Sequence, residues 1–548
     1  MKWLTKKTNW LVFIFCLFLN WFILRPILLP DTFFLAHDST WLVRLQQFDK
    51  AISLGQFPPQ LAPDMAYGYG YPLFKYYAPL FTFLSWLIFK LIGDYALSTT
   101  LAVFLANLIG SWGMFLLGKK IYGFWGGLVA VTAFGLLPFR ALDIYVRAAF
   151  AELLAINLFP FWLHYFLSFA RDKFSKKTII GFILTSLGLL LAHNLYLIIL
   201  AFVSPLFIIF FLTNLPGKKK ALALLGAGFL TFLLASWFWL PALLGLGEVG
   251  VLGEAVKTNF SDNFVYLKQL WNWPWGFGGS APGLADGMSF KIGKVHLLLA
   301  ALGALAAFLR KKNRYLVMML LALVFFSLLL TLPWSSLIWE NLPFLRTIQF
   351  PWRFLGLATP IIALLSGGIV LVDLKSFRPE LKKITPLISL LAIFLLFYFN
   401  LKYFVPQDLV LLAKEELLDR ETIYQSAQNI AEYYPTKVER RPEKKPNWPL
   451  SFSGNQDAQV VAETPYKIIF RLNEKGQVAI NRFYFSGWRL NWENETIPIS
   501  PEPETGKIQF QAEETGEYQI SFGPTKWDRL AYGLSFLGFI ILVIVIIF

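Results

Sequence analysis

The sequence predicts a polytopic α-helical membrane protein of about twelve spans with a small extracytoplasmic β-sandwich domain near its C-terminus. Of the 548 residues, 56% are hydrophobic, and the mean hydropathy is +0.55. A soluble chain is about 45–50% apolar, whereas a helix that crosses a bilayer needs about 20 apolar residues. Runs of about that length recur through most of this chain. Beyond residue 402 they give way to short alternating stretches, which are typical of antiparallel strands.

The charges between the apolar runs predict the topology. Basic residues cluster in short loops, and the positive-inside rule places these loops in the cytoplasm together with both chain termini. The predicted spans then alternate correctly at residues 9–29, 97–117, 121–138, 149–169, 178–192, 195–213, 221–243, 294–309, 315–332, 353–373, 384–401 and 527–547. The apolar segment 78–92 is too short to cross and contains Lys90, so we expect an interfacial or re-entrant helix there.

The composition also excludes several classes of protein. The net charge of +15 follows from the cytoplasmic loops and does not indicate nucleic acid as a partner. The single cysteine, Cys16, lies inside the first apolar run, which excludes a disulfide framework and a thiolate metal site. The sequence has neither a P-loop nor a Gly-rich dinucleotide motif, so it does not indicate an ATP-driven function.

The predicted topology gathers the unusual polar residues on the outer face of a cytoplasmic membrane. The first external loop, residues 31–96, holds Asp31, the pair His37–Asp38 and Asp64. An acidic group at the outer mouth of a helical membrane protein needs a reason to be there, and Asp38 is our candidate for a catalytic base with His37 beside it.

Aromatic residues follow in the same loop. An amphipathic helix is predicted from Trp41 to Phe48, and a run of alternating glycine and tyrosine then includes Tyr69 and Tyr71, with Lys75 shortly after. Such a run either forms an ordinary aromatic belt or bends closely around a substrate. We take Tyr69, Tyr71 and Lys75 as candidate substrate-binding residues.

Charged residues at the entrances of later spans complete the candidate site. Arg147 either pairs with Asp143, four residues earlier, or binds a phosphate, and Glu152 lies in an apolar segment where it needs a partner or a role. His193 lies alone between two apolar runs and is either structural or functional. Arg346 and Arg353 suit bidentate phosphate contact, with snorkelling to the interface as the alternative.

The C-terminal part differs in composition. We expect a membrane domain at residues 1–401, an extracytoplasmic domain at 402–526 and a membrane anchor at 527–548. The extracytoplasmic domain is predicted to contain a helix over 408–428 and a small antiparallel β-sandwich. The predicted strands are 466–472, 477–485, 507–512 and 517–522.

Several motifs together resemble a known family. They are His37–Trp41, Gly68–Pro72, Tyr145–Glu152, Gln349–Phe354, Glu432–Pro435 and Phe485–Trp488. With their order along the chain, they resemble the GT-C superfamily of polyprenyl-phosphate-sugar glycosyltransferases. More closely, they are similar to the bacterial membrane proteins labelled 6-pyruvoyl-tetrahydropterin synthase-related and to YfhO-type proteins. The histidine cluster that pterin chemistry would need is absent from the sequence.

The resemblance implies an activity. In GT-C enzymes a loop carboxylate acts as a base or helps to hold a metal, and basic groups neutralise the donor phosphate. Asp38 resembles that carboxylate, while the histidine that the family often has three residues later is replaced by Trp41. This replacement weakens the case for a metal: we assign no metal ligand, and a divalent cation, Mg²⁺ or Mn²⁺, stays open as a cofactor.

The sequence therefore predicts an inverting glycosyltransferase in the cytoplasmic membrane with its active site on the outer face. Its expected partners are a polyprenyl-phosphate sugar donor, membrane lipid and an extracytoplasmic acceptor, which is a lipid, a glycan or a protein. Two alternatives stay open, a non-catalytic assembly or scaffold protein and a lipid or polysaccharide transporter. A transporter would favour ionisable residues near the bilayer midplane and internal repeats, and the predicted spans are poor in charge.

Overall fold

A computed structural model describes most of the chain. The described residues are 2–28, 33–172, 175–214, 217–251, 253, 259–310, 313–371, 384–410, 418–452, 457–493 and 495–548. Asp31 and residues 411–417, which belong to the predicted helix 408–428, lie outside these ranges.

Helices form nearly all of the regular structure before residue 400. In chain order they are α1 (Lys2–Leu24), α2 (Trp41–Ser53), α3 (Leu73–Tyr76), α4 (Leu80–Ile92), α5 (Tyr95–Tyr122), α6 (Phe124–Gly135), α7 (Pro138–Ala141), α8 (Phe150–Arg171), α9 (Lys176–Ala192), α10 (Asn194–Thr213), α11 (Lys218–Leu234), α12 (Ser236–Leu244), α13 (Leu267–Trp271), α14 (Lys294–Phe308), α15 (Arg314–Thr331), α16 (Ser336–Asn341), α17 (Leu355–Ser366) and α18 (Ile384–Asn400). Two helices of the described residues follow later in the chain, α19 (Arg420–Gln425) and α20 (Lys526–Ile547).

The polytopic helical fold is confirmed. Within the described ranges, eight helical segments are long and apolar enough to cross a membrane, or ten if each of two bent pairs counts as one span. The bends are 41° between α6 and Pro138–Val146 and 69° between α11 and α12. The number of about twelve spans stays a prediction. α9 and α14 have 17 and 15 residues, which at about 1.5 Å per residue is less than a bilayer core of about 30 Å.

The two short helices predicted in the first external loop are present. α2 buries Trp41, Leu42, Leu45 and Phe48, the apolar face that the sequence spacing predicts. α4 has 13 residues and ends at Gly93, whose φ of 78° forms a left-handed cap. α2 and α4 pack against each other and against α5.

Small residues allow the closest helix contact. Gly303 of α14 packs against residues 365–369, which end α17 and continue as a short 3₁₀ turn. A Cβ atom at Gly303 would overlap the carbonyl oxygen of Leu365 and lie 2.9 Å from the backbone nitrogen of Ile369. This contact follows the rule that glycines let membrane helices approach backbone to backbone.

We expect Gly303→Val to lower the free energy of unfolding by about 1–3 kcal/mol, because its branched side chain would force the two helices apart. Gly226→Val on α11 is the matched control, because no atom lies within 4 Å of a Cβ placed there. Thermal unfolding of both variants in detergent measures the difference. Equal unfolding temperatures for the two variants would contradict the prediction.

The predicted β-sandwich is also present. Its strands are β3 (Leu450–Phe452), β4 (Ala458–Thr464), β5 (Lys467–Leu472), β6 (Gly476–Phe483), β7 (Trp488–Trp492), β8 (Glu495–Ile497), β9 (Ser500–Pro501), β10 (Lys507–Ala512) and β11 (Gly516–Phe522). One antiparallel sheet has the order β3-β6-β10-β9 and the other β4-β5-β11-β7-β8. The four predicted strands correspond to β5, β6, β10 and β11. A separate antiparallel pair joins β1 (Phe33–Phe34) to β2 (Leu409–Val410). β2 lies at the start of the predicted helix 408–428, so this part of the predicted helix is a strand.

The sandwich and the first external loop share one hydrophobic core. The N–H of Phe483 donates to the carbonyl of Tyr69 at 2.9 Å, and the hydroxyl of Tyr466 donates to the carbonyl of Leu61 at 3.0 Å. The hydroxyl of Tyr71 donates to the carbonyl of Ile430. These contacts hold the sandwich and the segment around Ile430, which precedes it, against residues 61–71.

Candidate functional site

A cavity of about 1170 Å³ lies where the first external loop, the helices and residues 430–433 meet. Its volume exceeds the roughly 300–1,000 Å³ that is usual for small-molecule sites. At one end the lining is charged or polar: His37, Asp38, Arg44, Arg147, Glu152, His193, Arg353 and Glu432. Elsewhere the lining is mainly apolar and comes from α8 to α12: Trp162, Phe182, Leu189, Leu197, Ile198, Phe232 and Phe238. The cavity is therefore amphipathic.

An irregular turn positions the acidic loop. Residues 142–146 form a short π-helix, a wide turn that is rare and is often found at functional sites. The carbonyl of Val146 accepts a hydrogen bond from the N–H of His37 at 2.9 Å, and that of Arg147 accepts one from Asp38 at 3.1 Å. Nε2 of His37 donates to the carbonyl of Phe277 at 2.9 Å. These bonds place Asp38 beside the start of α8.

Asp38 is held in one orientation. Its Oδ1 accepts hydrogen bonds from the N–H and the hydroxyl of Thr40, at 3.1 and 2.8 Å. Its Oδ2 lies 2.8 Å from Nη1 of Arg44, and the Asp38 side chain keeps 27% of its surface exposed. The guanidinium of Arg44 also lies 4.4 Å above the ring of Tyr77. Burial alone would lower the pKa of Arg44, but Asp38 raises it above its ordinary value, so the cation persists.

Arg147 is the centre of a buried ion triad. It pairs with Asp143 and, at 2.7 Å, with Glu152, and its guanidinium lies 4.4 Å from the ring centre of Trp352. Of the two alternatives for Arg147, pairing with Asp143 is the one observed, and Glu152 has the partner that its apolar position required. The positive charge of Arg147 is therefore already compensated.

We expect Arg147→Met to lower the free energy of unfolding by about 3–5 kcal/mol, because two buried carboxylates would lose their partner. The control is Lys475→Met, which breaks the exposed pair with Glu514 and should cost at most about 1 kcal/mol. Unfolding of both variants by heat in detergent measures the difference. A loss for Arg147→Met no larger than the control's would show that the triad does not stabilise the fold.

Arg353 is a half-buried cation, and not all of its N–H donors have a partner among the described residues. Its Nη1 donates to the carbonyl of Ile348 at 2.8 Å and to Oε1 of Gln349 at 3.4 Å, while its guanidinium lies 4.9 Å from the ring of Phe350. No carboxylate oxygen of the described residues lies within 4 Å of it, and its Nε is buried without a partner among them. Arg353 therefore lines the cavity as a cation without an acidic partner among the described residues.

His193 is neutral at physiological pH. Burial lowers the pKa of His193 to about 4, because the attraction of Glu152 is outweighed by burial and by two nearby arginines. Its Nδ1 accepts a hydrogen bond from the N–H of Tyr196 at 3.2 Å and caps α10. His193 therefore lines the cavity as an uncharged group with a structural role.

Four predicted substrate residues do not line this cavity, and their role in substrate binding stays a prediction. Tyr69 packs against the ring of Phe483, and Tyr71 binds the backbone of residue 430. Lys75 pairs with Glu248 at 3.0 Å. Arg346 donates to the carbonyl of Glu340 at 3.2 Å. The glycine–tyrosine run docks the β-sandwich, and Gly68 and Gly70, at φ of +79° and +82°, allow the bend.

The cavity is also lined by residues that were not predicted as site residues, although the family motifs include Trp352, Glu432 and Tyr433. Arg44, Tyr77, Trp352, Glu432 and Tyr433 all line it. Arg44 could have been found, because it lies on the apolar face of α2, three residues after Trp41, where an arginine needs a partner. Among the described residues, no group of three or more histidine, cysteine or acidic side chains is arranged to hold a metal ion.

Comparisons with known proteins identify the family. An uncharacterized protein of Lactococcus lactis subsp. cremoris (strain MG1363) is 25% identical over 282 residues, which is 48% of this chain and 45% of that protein. The chain thus matches less than half the length of this relative. The mycobacterial arabinofuranosyltransferase AftD aligns with a TM-score of 0.45 and 16% identity, over 74% of this chain and 28% of AftD. The profile of the 6-pyruvoyl-tetrahydropterin synthase related domain, a membrane protein family, matches residues 74–404. Because this match covers more than half of the chain, the protein belongs to the 6-pyruvoyl-tetrahydropterin synthase related family of membrane proteins.

Proposed function

We propose that this protein is a membrane glycosyltransferase that moves a sugar from a polyprenyl-phosphate donor to an extracytoplasmic acceptor. One observation carries the proposal: a single cavity joins a charged end, next to the external loop, to an apolar wall of membrane helices. A donor with an isoprenoid chain, a phosphate and a sugar has the same order of apolar, anionic and polar parts.

The apolar wall suits the lipid part of the donor. Leu197 and Ile198 come from α10, which is long and apolar enough to span a membrane, and Phe232 comes from α11. A prenyl chain that lies against these side chains exchanges one apolar surrounding for another, so the donor enters from the bilayer at little cost. Its phosphate then stays at the charged end of the cavity.

Arg353 is the residue that we expect to bind the phosphate of the donor. The transfer breaks the bond between the anomeric carbon and a phosphate oxygen, and the electron pair of that bond stays on the phosphate. A fixed cation aimed at this developing charge lowers the barrier. Arg44 and Arg147 are already paired with Asp38 and with Glu152, so Arg353 is the cation best able to accept a new anion.

Asp38 is the residue that we expect to take the proton of the acceptor hydroxyl. The acceptor oxygen attacks the anomeric carbon from the side opposite the phosphate, which inverts the configuration, and its proton passes to the carboxylate of Asp38. Thr40 and Arg44 fix the direction of this carboxylate, and its remaining exposure leaves an oxygen within reach of a hydroxyl. His37, bonded to Phe277, holds the loop that carries Asp38.

The test is sugar transfer by the purified full-length protein from a panel of radiolabelled polyprenyl-phosphate sugars to lipid, glycan and peptide acceptors. The expected result is a labelled acceptor and released polyprenyl phosphate in equal amounts. Donor that crosses the bilayer of a reconstituted vesicle unchanged, with no labelled acceptor, would replace the proposal by transport. The absence of both transfer and transport would favour a scaffold.

A further inference from the structure

We infer that Glu432 binds hydroxyl groups of the donor's sugar, so that the segment before the β-sandwich completes a site that the membrane helices only begin. The inference rests on the proposed function, because it assigns a role within the same cavity. It adds a residue from the extracytoplasmic part of the chain to a substrate site otherwise built from the external loop and the helices.

Glu432 differs from the other carboxylates of the cavity. Asp38 lies 2.8 Å from Arg44, and Glu152 lies 2.7 Å from Arg147. The carboxylate of Glu432 has no hydrogen bond or ion pair with another side chain among the described residues, although it lines the cavity and is mostly buried. Burial outweighs the hydrogen bond from the backbone N–H of Glu432 and the attraction of Arg44 and Arg353, and so raises the pKa of this carboxyl group. A ligand that brings donors would satisfy it.

The segment that carries Glu432 is held in place. The hydroxyl of Tyr71 donates to the carbonyl of Ile430 and accepts a hydrogen bond from the N–H of Tyr433 at 3.3 Å. The ring of Tyr433 is stacked on that of Tyr76, 6.1 Å away and inclined by 8°. The backbone on both sides of Glu432 is therefore fixed, and a side chain on a fixed backbone loses little freedom when it binds a ligand.

The surroundings of Glu432 select the kind of ligand. An ionised carboxylate only accepts hydrogen bonds and repels phosphate, so its partner must donate. The positive charges of Arg44 and Arg353 both attract the Glu432 carboxylate. These two cations would repel a ligand with an ammonium group, which disfavours it as the donor. Neutral hydroxyl groups remain. Because Arg353 shares the cavity, a donor whose phosphate is bound there brings its sugar hydroxyls to the same charged end.

The experiment compares two lipids that differ only in the sugar, a polyprenyl phosphate and the corresponding polyprenyl-phosphate sugar. Their binding to the full-length protein in detergent is followed by intrinsic fluorescence, since Trp162, Trp239 and Trp352 line the cavity. We expect wild type to bind the sugar-bearing lipid roughly 10- to 100-fold more tightly, the range for hydrogen bonds to a charged group. Glu432→Gln should lose this preference and bind the bare phosphate lipid as wild type does.

The controls separate a binding role from a structural one. Glu439→Gln removes an exposed carboxylate seven residues away and should keep the full preference. Glu432→Asp keeps the negative charge and should keep part of the preference for the sugar-bearing lipid. The inference would be overturned, with the proposed function intact, if Glu432→Gln keeps the full preference for the sugar-bearing lipid. The same holds if its affinity for both lipids falls by the same factor. Failure of wild type to bind either lipid would overturn both.

Discussion

Asp38→Asn is expected to lower the rate of sugar transfer by about 10²–10⁴-fold, the usual contribution of a positioned general base. The amide keeps the size of the side chain and can still accept hydrogen bonds from Thr40, but it cannot take up the proton of the acceptor hydroxyl. The loss should fall on kcat, because the lipid chain and the phosphate of the donor contact other parts of the cavity.

The same substitution has a matched control in the same loop. Asp64 is also a partly exposed aspartate in an ion pair, 2.6 Å from Lys50, but it does not line the cavity. Asp64→Asn should therefore transfer sugar at close to the wild-type rate. Transfer by Asp38→Asn at the wild-type rate, with Asp64→Asn also active, would move the base to another carboxylate.

The ion pair with Arg44 sharpens this prediction. Nη1 of Arg44 lies 2.8 Å from Oδ2 of Asp38, so the ion pair occupies this carboxylate oxygen in the resting protein. The carboxylate must therefore exchange part of this contact for the acceptor hydroxyl during the reaction. Arg44→Met would separate the two effects: it should reduce transfer by freeing the orientation of Asp38, yet leave some activity, whereas Asp38→Asn should leave much less.

The helical fold could be predicted because its cause is local. An apolar run of sufficient length can only satisfy its backbone inside a membrane as a helix, so hydropathy located most spans. Hydropathy does not encode a bend, and the pairs around Leu136 and Ala235 therefore could not be anticipated from it. Alternation likewise revealed β5 and β11, whose inward residues Phe470 and Tyr518 face each other, but it did not reveal β3, β4, β7, β8 and β9.

The candidate site could be predicted only where its signal was local. Asp38 and Arg353 stand out because charges at the ends of apolar runs are costly and need a role. Tyr71 was assigned to the substrate because an aromatic ring serves a sugar and a protein core equally well. Its true neighbour, Ile430, lies 359 positions away, and no local pattern reports such a contact. Glu432 went unselected for the same reason, since its importance arises from the cavity it faces.

Arg353→Met is expected to lower transfer by about 10²–10³-fold, the loss seen when one fixed donor to a developing anion is removed. Both substrate binding and the chemical step should suffer, because the phosphate is anionic in the bound donor and gains charge as the sugar leaves. Arg353→Lys should recover only part of the loss, since an ammonium is a point charge that cannot offer the paired donors of a guanidinium.

Arg346→Met is the matched control for this prediction. It lies seven residues earlier in the same segment, and its guanidinium donates to the carbonyl of Glu340 instead of lining the cavity. If the phosphate is bound by Arg353, Arg346→Met transfers normally and binds polyprenyl phosphate as wild type does. If Arg346→Met loses binding while Arg353→Met keeps it, the anion is held at the protein surface, and the amphipathic cavity is not the site of transfer.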